Sequence, residues 1–322
     1  MPPSNPQQSE IDSLVHLYQD GAFSRRELAR RVARITGSPI AAAAALQALG
    51  VVAAKRASAQ CVAELRVPEN AQDLESQMVE FPGPAGVLFA YRASPRNSDS
   101  PPRSRSLLVE ALPAVLVIHE NRGLNDHIKD VTRRVARAGF VGLGIDLLSR
   151  LGGTHQFPDP QEAGRAYNRL TNEGILQDMQ AAVSYLKSPA AFPPGVRIGP
   201  VGVVGFCAGG GNCFNLAVNS PDISAAVVYY GPLPNTFEVL DRLSAPLLCI
   251  FGERDRFVNV RMPALVTGLL DRRKPFGLHV YEAANHAFNN DTSPSYDAPA
   301  ACDAWAKTIA FFSRHLRIAP TG

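Results

Sequence analysis

Residues 201–211 constrain the fold of this chain more than any other segment. Their sequence is Val-Gly-Val-Val-Gly-Phe-Cys-Ala-Gly-Gly-Gly. An apolar, β-branched run ends in Gly-x-Cys-x-Gly, and a helical pattern follows directly. The pattern predicts a nucleophile elbow, a sharp strand-to-helix turn, with Cys207 where serine is usual. The turn needs Gly205 and Gly209, because a Cβ atom at either position would clash. The first N–H groups of the helix favour negative charge on the sulfur. The alternative interpretation is a buried structural cysteine in a glycine-rich turn.

The composition is that of an ordinary globular protein. Of the 322 residues, 46% are hydrophobic and 19% are charged, which is enough for one large α/β domain with an appendage. The formal net charge of +3 is small and dispersed, so we expect no nucleic-acid partner. The five cysteines are widely spaced, without a metal-binding pattern, and their odd number leaves room for a reactive thiol. Cys213, Cys249 and Cys302 lie in apolar patterns and are expected to fill the core.

Residues 1–60 differ in composition from the remainder and are expected to form an N-terminal extension. The twin arginines in Ser24-Arg-Arg-Glu-Leu28 precede an uncharged, alanine-rich stretch from Ile35 to Ala54, and residues 55–59 end in a small-x-small pattern. These features suggest a twin-arginine export signal. Residues 13–18 favour instead a helix that packs on the domain. Periplasmic export and a cytoplasmic, folded helical extension both stay open, and we expect no stable membrane span.

Strands and helices alternate from residue 61 onward. Segments 77–81 and 86–91 are typical of an antiparallel hairpin, and the apolar run 114–119 is typical of a strand buried on both faces of a parallel sheet. Further strands are predicted at 140–147, 201–205, 225–230, 246–251 and 278–281, and helices at 126–138, 177–186, 208–218, 261–272 and 298–315. The alternation predicts an α/β domain over residues 61–318, with a doubly wound, mostly parallel sheet and helices on both faces. Ligands of such sheets bind beyond the carboxyl ends of the strands.

A cysteine nucleophile needs a base, and the base needs a carboxylate that orients it. Two predicted strands run into loops that carry Asp255 and His286. Both residues follow the elbow in the order nucleophile, acid, histidine. We therefore expect Cys207, Asp255 and His286 to form a catalytic triad, with Glu253 as the alternative acid. Taken alone, Asp255 could be a turn or helix-cap aspartate, and His286 a solvated loop histidine.

Four motifs, in order, resemble the dienelactone hydrolases, also called carboxymethylenebutenolidases. They are Val117 to Leu124, Ile145 to Leu148, the elbow itself and Ala284 to Phe288. The resemblance covers roughly residues 75 to 316 and implies the α/β-hydrolase fold. It maps the triad of that family onto the same cysteine, aspartate and histidine.

The resemblance also implies a role for Glu120, which matches a family glutamate after the first buried strand. That glutamate holds the resting thiol until substrate displaces it, and repulsion between like charges keeps the thiol protonated. The alternative for Glu120 is a salt bridge in a loop. The backbone N–H groups of Asn121 and Ala208 are expected to form the oxyanion hole, because one lies in the loop after the early strand and the other follows the nucleophile.

The chain departs from the family pattern where well-known members grip a substrate carboxylate with two arginines. Arg150 can fill the first position, but Asn290 stands at the second, four residues beyond the histidine. The expected substrate-binding residues are therefore Arg150, Asn290 and Arg122, the last as a replacement cation. A carboxylated lactone is expected to bind less tightly, or not to be the natural substrate.

The predicted function is cysteine-dependent hydrolysis of a small lactone or ester through an acyl-enzyme thioester, with no metal and no organic cofactor. Two alternatives stay open. One is a broad carboxylesterase without a preference for dienelactone. The other is a redox-sensing or non-catalytic thiol protein, against which the presence of His286 and Asp255 argues. The sequence leaves the oligomeric state open.

Overall fold

The computed structural model describes residues 10, 11, 14, 25–37, 65–96, 111–188, 191–192 and 198–316. The chain divides into two compact units, Met1–Ala63 and Glu64–Gly322. The described part of the first unit includes helix α1, Arg25–Thr36, which begins at the twin arginines. Residues 38–54 of the alanine-rich stretch in the expected export signal lie outside the described residues, as do the small-x-small pattern of residues 55–59 and the domain boundary expected after residue 60.

The described part of the second unit contains one sheet. Its strands are β1 (Leu74–Gly83), β2 (Gly86–Pro95), β3 (Leu112–Ile118), β4 (Val141–Ile145), β5 (Ile198–Phe206), β6 (Ile223–Tyr229), β7 (Leu247–Gly252) and β8 (Phe276–Tyr281). Among the described residues their order is β1-β2-β4-β3-β5-β6-β7-β8. β1 pairs antiparallel with β2, and β2 with β4, whereas every pair from β4 to β8 is parallel. The predicted hairpin and mostly parallel sheet are confirmed.

Helices connect most of the parallel strands. They are α2 (Asp126–Arg137), α3 (Pro160–Tyr167), α4 (Asn172–Lys187), α5 (Ala208–Asn219), α6 (Arg256–Asn259), α7 (Met262–Asp271) and α8 (Ala298–Leu316). Asn125, Asp159 and Thr171 begin α2, α3 and α4 by accepting a backbone N–H with the side chain. The sequence did not predict α3, because its eight residues are too few to show an amphipathic repeat. No described helix is long and apolar enough to cross a membrane.

Both faces of the sheet are buried, because the central strands are apolar on both sides. In β3, Leu116 packs into one core and Val117 into the other, and neither is exposed. Helices α4 and α5 supply side chains to the first core, and α2 and α8 supply side chains to the second. This arrangement confirms the doubly wound sheet with helices on both faces.

Two of the predicted core cysteines lie in the core. Cys213 and Cys249 are free and buried. Cys302, for which an apolar helix pattern predicted the same role, is half-buried and disulfide-bonded. Helical periodicity indicates which face of α8 is buried, but it does not indicate the covalent partner of a sulfur atom.

Candidate active site

Cys207 stands at the turn between β5 and α5 in a strained backbone conformation. Its φ of 53° and ψ of −123° lie in a region that residues other than glycine rarely adopt. The Cys207 N–H donates to the Tyr229 carbonyl at 3.1 Å, which ties the turn to β6. A Cβ atom on Gly205 would overlap the carbonyl of Gly209, and one on Gly209 would overlap the carbonyl of His119. Close backbone approach therefore explains both glycines.

His286 and Asp255 are brought together at the ends of β8 and β7. The distance from His286 Nδ1 to Asp255 Oδ2 is 2.5 Å. The second carboxylate oxygen of Asp255 accepts the Val258 N–H at 3.3 Å, so the buried side chain is held at both oxygens. Because Nδ1 donates to the carboxylate, Nε2 is the nitrogen that can take up a proton. Glu253, the alternative acid, is exposed and accepts the Ala283 N–H at 2.8 Å instead.

The pKa of His286 reflects its interaction with the Cys207 thiol. Burial alone would lower the pKa of His286, but hydrogen bonds with Asp255 and Cys207, and the charges of both, raise this pKa to about 10. Cys207 is half-buried, whereas burial raises the thiol pKa of Cys213 and of Cys249. Among the free cysteines of the described residues, Cys207 is thus the one with both a basic partner and access to solvent.

Glu120 is buried, and the one hydrogen-bond partner of its side chain among the described residues is neutral. Its Oε2 accepts the side-chain N–H of Asn290 at 2.9 Å, and its Oε1 is buried with no hydrogen-bond partner among the described residues. The Asn290 Oδ1 in turn accepts from the backbone N–H and the hydroxyl of Thr292, at 2.9 and 2.7 Å. Both ends of the Asn290 amide are therefore engaged within the protein. These contacts hold the Asn290 amide against Glu120 and Thr292.

The two arginines expected near the substrate differ in their surroundings. Arg150 makes a bidentate ion pair with the buried Asp178, at 2.6 Å from Nε and 2.9 Å from Nη2, and also donates to the Gly174 carbonyl at 3.0 Å. Its charge is thereby neutralised within the protein. Arg122 is exposed and lines a cavity of about 440 Å³ together with Lys129. Of the two, Arg122 is the one that solvent can reach freely.

The expected oxyanion donors lie at the same edge of the sheet. Ala208 is the first residue of α5, where backbone N–H groups have no partner within the helix. Asn121 lies in the loop after β3, and β3 is the parallel neighbour of β5. The close contact of Gly209 with His119 packs the start of α5 against the end of β3. This geometry supports the placement of both N–H groups beside Cys207.

Sequence reasoning missed Tyr230, the residue directly after β6. It has a φ of 35°, and its ring centroid lies 5.1 Å from that of His286. Its hydroxyl is buried without a hydrogen-bond partner among the described residues. Burial, together with the charges of Glu120 and Cys207, raises the pKa of Tyr230 well above its ordinary value, so the phenol stays protonated. The signal was available, because β6 lies parallel and adjacent to β5, and residues just after both strands must be neighbours.

Known proteins resemble this chain over most of the second unit. The family model described as dienelactone hydrolase family matches residues 105–316. A Bradyrhizobium protein named "Probable 2-oxo-3-(5-oxofuran-2-ylidene)propanoate lactonase" is 33% identical over 227 residues, which cover 66% of this chain and 88% of that protein. A "Putative carboxymethylenebutenolidase" of Saccharolobus solfataricus is 29% identical over 236 residues, which cover 62% of this chain and 89% of that protein.

A solved structure gives the same result for the fold. The "Putative Dienelactone Hydrolase" from Klebsiella pneumoniae superposes with a TM-score of 0.65 at 25% sequence identity. The match covers 75% of this chain and 99% of that one. The likeness confirms the α/β-hydrolase fold that the sequence predicted.

Proposed function

This chain belongs to the dienelactone hydrolase family and is a hydrolase of lactone or ester bonds, and we propose that it works through a triad of Cys207, His286 and Asp255. One observation carries the proposal: His286 Nδ1 lies 2.5 Å from Asp255 Oδ2, and interactions with both Asp255 and Cys207 raise the pKa of the same imidazole. A carboxylate, an imidazole and a nucleophile in this sequence of contacts form the arrangement that covalent acyl transfer requires.

We further propose a resting state in which Glu120 holds the Cys207 thiol; in the described structure Cys207 interacts with His286 instead, and no hydrogen bond joins it to Glu120 Oε1. This oxygen is buried and has no partner among the described residues, so it is an acceptor suited to the S–H group. A carboxylate beside the sulfur disfavours the thiolate by repulsion between like charges and protects the thiol from oxidation. Asn290 keeps Glu120 in place through its 2.9 Å hydrogen bond. When substrate binds, it breaks the contact between Glu120 and the Cys207 thiol, and the thiol then interacts with His286.

The chemical step then proceeds in two halves. His286 takes the thiol proton, the thiolate attacks the carbonyl carbon, and the oxyanion is held by the N–H groups of Ala208 and Asn121. The C–O bond breaks, the alcohol leaves with the proton from His286, and an acyl thioester remains on Cys207. Water attacks the thioester with His286 as base, and the carboxylic acid and the thiol are released.

The surroundings of the site bear on the substrate. The names of the relatives are those of lactonases, so a lactone is the first proposed substrate class. The two positions expected to grip a carboxylate are occupied otherwise, since Arg150 pairs with Asp178 and Asn290 pairs with Glu120. This observation favours a second candidate, a carboxylesterase and lactonase that does not depend on a carboxylated substrate.

The test compares hydrolysis of a dienelactone and of p-nitrophenyl acetate by the wild type, Cys207→Ala and His286→Ala. Cys249→Ala is the matched control, because burial raises the pKa of that thiol to about 12 and it lies in the core. We expect both triad variants to lose turnover by at least roughly a thousandfold, as removal of a triad member does. Cys249→Ala should keep its turnover.

The outcomes separate the candidates. Loss of both activities in the triad variants supports the thiol hydrolase. Cleavage of the simple ester without the dienelactone keeps the triad and favours the carboxylesterase. If the wild type cleaves neither substrate while Cys207 oxidises readily, a redox-sensing thiol replaces the proposal.

A further inference from the structure

A cavity of about 430 Å³ lies beside the elbow, and of the residues that line it the mechanism above uses only the backbone N–H of Ala208. Ala208 and Gly211 line it, so it begins directly after Cys207 and follows α5. Tyr167, at the end of α3, also lines it. Burial raises the pKa of Tyr167 to about 12, and the charge of Cys207 contributes to this rise. Tyr167 thus responds to the charge of Cys207, and the cavity lies beside the turn that carries the thiol.

Three asparagines of α5 face this cavity. Asn212, Asn215 and Asn219 are half-buried and have the spacing that places side chains on one face of a helix. The Asn212 side chain donates to the Tyr167 hydroxyl oxygen at 2.6 Å, and the Asn219 side chain donates to Asn215 Oδ1 at 2.8 Å. Asn212 Oδ1 and the Asn215 amide N–H groups keep no partner among the described residues. The helix face therefore offers both an acceptor and a donor to the cavity.

The remaining walls are apolar except for the exposed Asn172, and they carry no charge. Pro232, Leu233 and Val239 supply the apolar surface, and none of the described residues that line the cavity is charged. A substrate carboxylate placed here would lose its hydration without gaining a cation, which is unfavourable. An uncharged carbon skeleton would instead bury apolar surface against this wall.

We propose that this cavity, here termed the amide cavity, binds an uncharged, hydroxyl-bearing part of the substrate, and that the enzyme prefers hydroxylated to carboxylated lactones. A hydroxyl group both donates and accepts, which matches Asn212 Oδ1 and the Asn215 amide N–H groups. The inference rests on the proposed function, because it assigns a substrate class to the same site.

The experiment measures kcat/KM for three γ-lactones by titration of the released acid. They are ribono-γ-lactone, unsubstituted γ-butyrolactone and a γ-butyrolactone that carries a carboxylate. A lactone joins the acyl and alcohol parts in one ring, so the test does not depend on which part enters the amide cavity. We expect ribono-γ-lactone to exceed each of the others by about tenfold, which corresponds to two uncharged hydrogen bonds of a few-fold each.

Variants then test whether the asparagines of the amide cavity cause the preference for ribono-γ-lactone. Asn215→Leu should lower the ratio of kcat/KM for ribono-γ-lactone to that for γ-butyrolactone by roughly three- to tenfold, since leucine fills a similar volume without a donor. Asn219→Leu should lower the same ratio, and it serves as the second variant if the first folds poorly. Gln177→Leu is the matched control, because it removes an exposed amide from α4 that does not line the amide cavity. It should leave the ratio unchanged.

Each of the following outcomes would overturn the inference. A wild type that cleaves lactones but favours the carboxylated one, or shows no preference, overturns the inference and leaves the proposed function standing. A preference that survives both asparagine variants places hydroxyl recognition elsewhere and also overturns the inference. A wild type that cleaves neither these lactones nor p-nitrophenyl acetate overturns the proposed function and the inference together.

Discussion

Two histidine–aspartate pairs in this molecule have the same chemistry but different surroundings. The Nδ1 to carboxylate distance is 2.5 Å in the pair His286–Asp255 and 2.9 Å in the pair His127–Asp291. The His286 side chain is 39% exposed and reaches the thiol, whereas the His127 side chain is 2% exposed. The Nε2 of His127 is buried with no partner among the described residues. Under the proposed mechanism the first pair exchanges a proton with the thiol, whereas the burial of His127 keeps the second pair from such an exchange.

The carboxylates differ more than the histidines. Asp291 also accepts from Arg66 Nε at 2.6 Å and from Arg134 Nη2 at 3.0 Å. Burial would raise the pKa of Asp291, but His127 and the two arginines hold it well below its usual range. Asp255 has His286 as its one charged partner in the described structure and helps to raise the pKa of that histidine. A carboxylate shared among several cations stabilises the fold, whereas one that serves a single histidine tunes a base.

The largest expected contrast is in turnover. Asp255→Asn should lower kcat by roughly ten-thousand-fold, as the same change does in a Ser-His-Asp triad, because the amide no longer holds the imidazole in the required tautomer. Asp291→Asn should change kcat only slightly, since its pair does not reach the thiol. Steady-state rates on p-nitrophenyl acetate measure both, with circular dichroism to verify folding. Equal losses in the two variants would mean that the pairs do not differ in function.

Asp291→Asn should lower the stability of the fold more than Asp255→Asn does, which is the reverse of their effects on turnover. Asp291→Asn removes a shared partner from His127 and Arg134, whose side chains are 2% and 4% exposed. We expect the free energy of unfolding to fall by about 3 kcal/mol, as when a buried ion pair loses one member. Asp255→Asn should cost only about 1 kcal/mol, because water can reach His286 and replace its lost partner. Urea unfolding measures both values, and a larger loss for Asp255→Asn would reverse the assignment.

The two pairs should affect the stability of the protein in different pH ranges. The lowered pKa of Asp291 gives stabilisation that is present above the unfolded pKa of about 4 and is lost as pH falls further. The raised pKa of His286 gives stabilisation that is complete below the unfolded pKa of about 6.5. That stabilisation is lost as pH rises through about 10.

Scanning calorimetry across pH tests this division. Asp291→Asn should flatten the decline of Tm at acid pH, and His286→Gln should flatten the decline at alkaline pH. A wild-type Tm that stays level from neutral to alkaline pH would contradict the raised pKa of His286.

Much of the fold was predictable because its signals are local. The apolar run in β3, the hairpin of β1 and β2, and most helices follow from the periodicity of neighbouring residues. The order of the proposed triad residues could also be predicted, because each follows a strand and parallel strands end at one edge of the sheet. The pairings of Asn290 and Arg150 could not be predicted from the sequence, since each involves a partner that periodicity does not identify.

The sequence by itself determined the elbow, the alternation of strands and helices, and the candidates for nucleophile, base and acid. These depend on backbone sterics and on hydrophobic spacing within short segments. Only the tertiary structure decided which polar groups pair. It joins Arg150 to Asp178, Asn290 to Glu120 and Asp291 to two arginines, and it leaves the asparagines of α5 facing a cavity. The physical reason is that hydrogen bonds and ion pairs act over a few ångströms, and the fold alone brings distant parts of the chain that close.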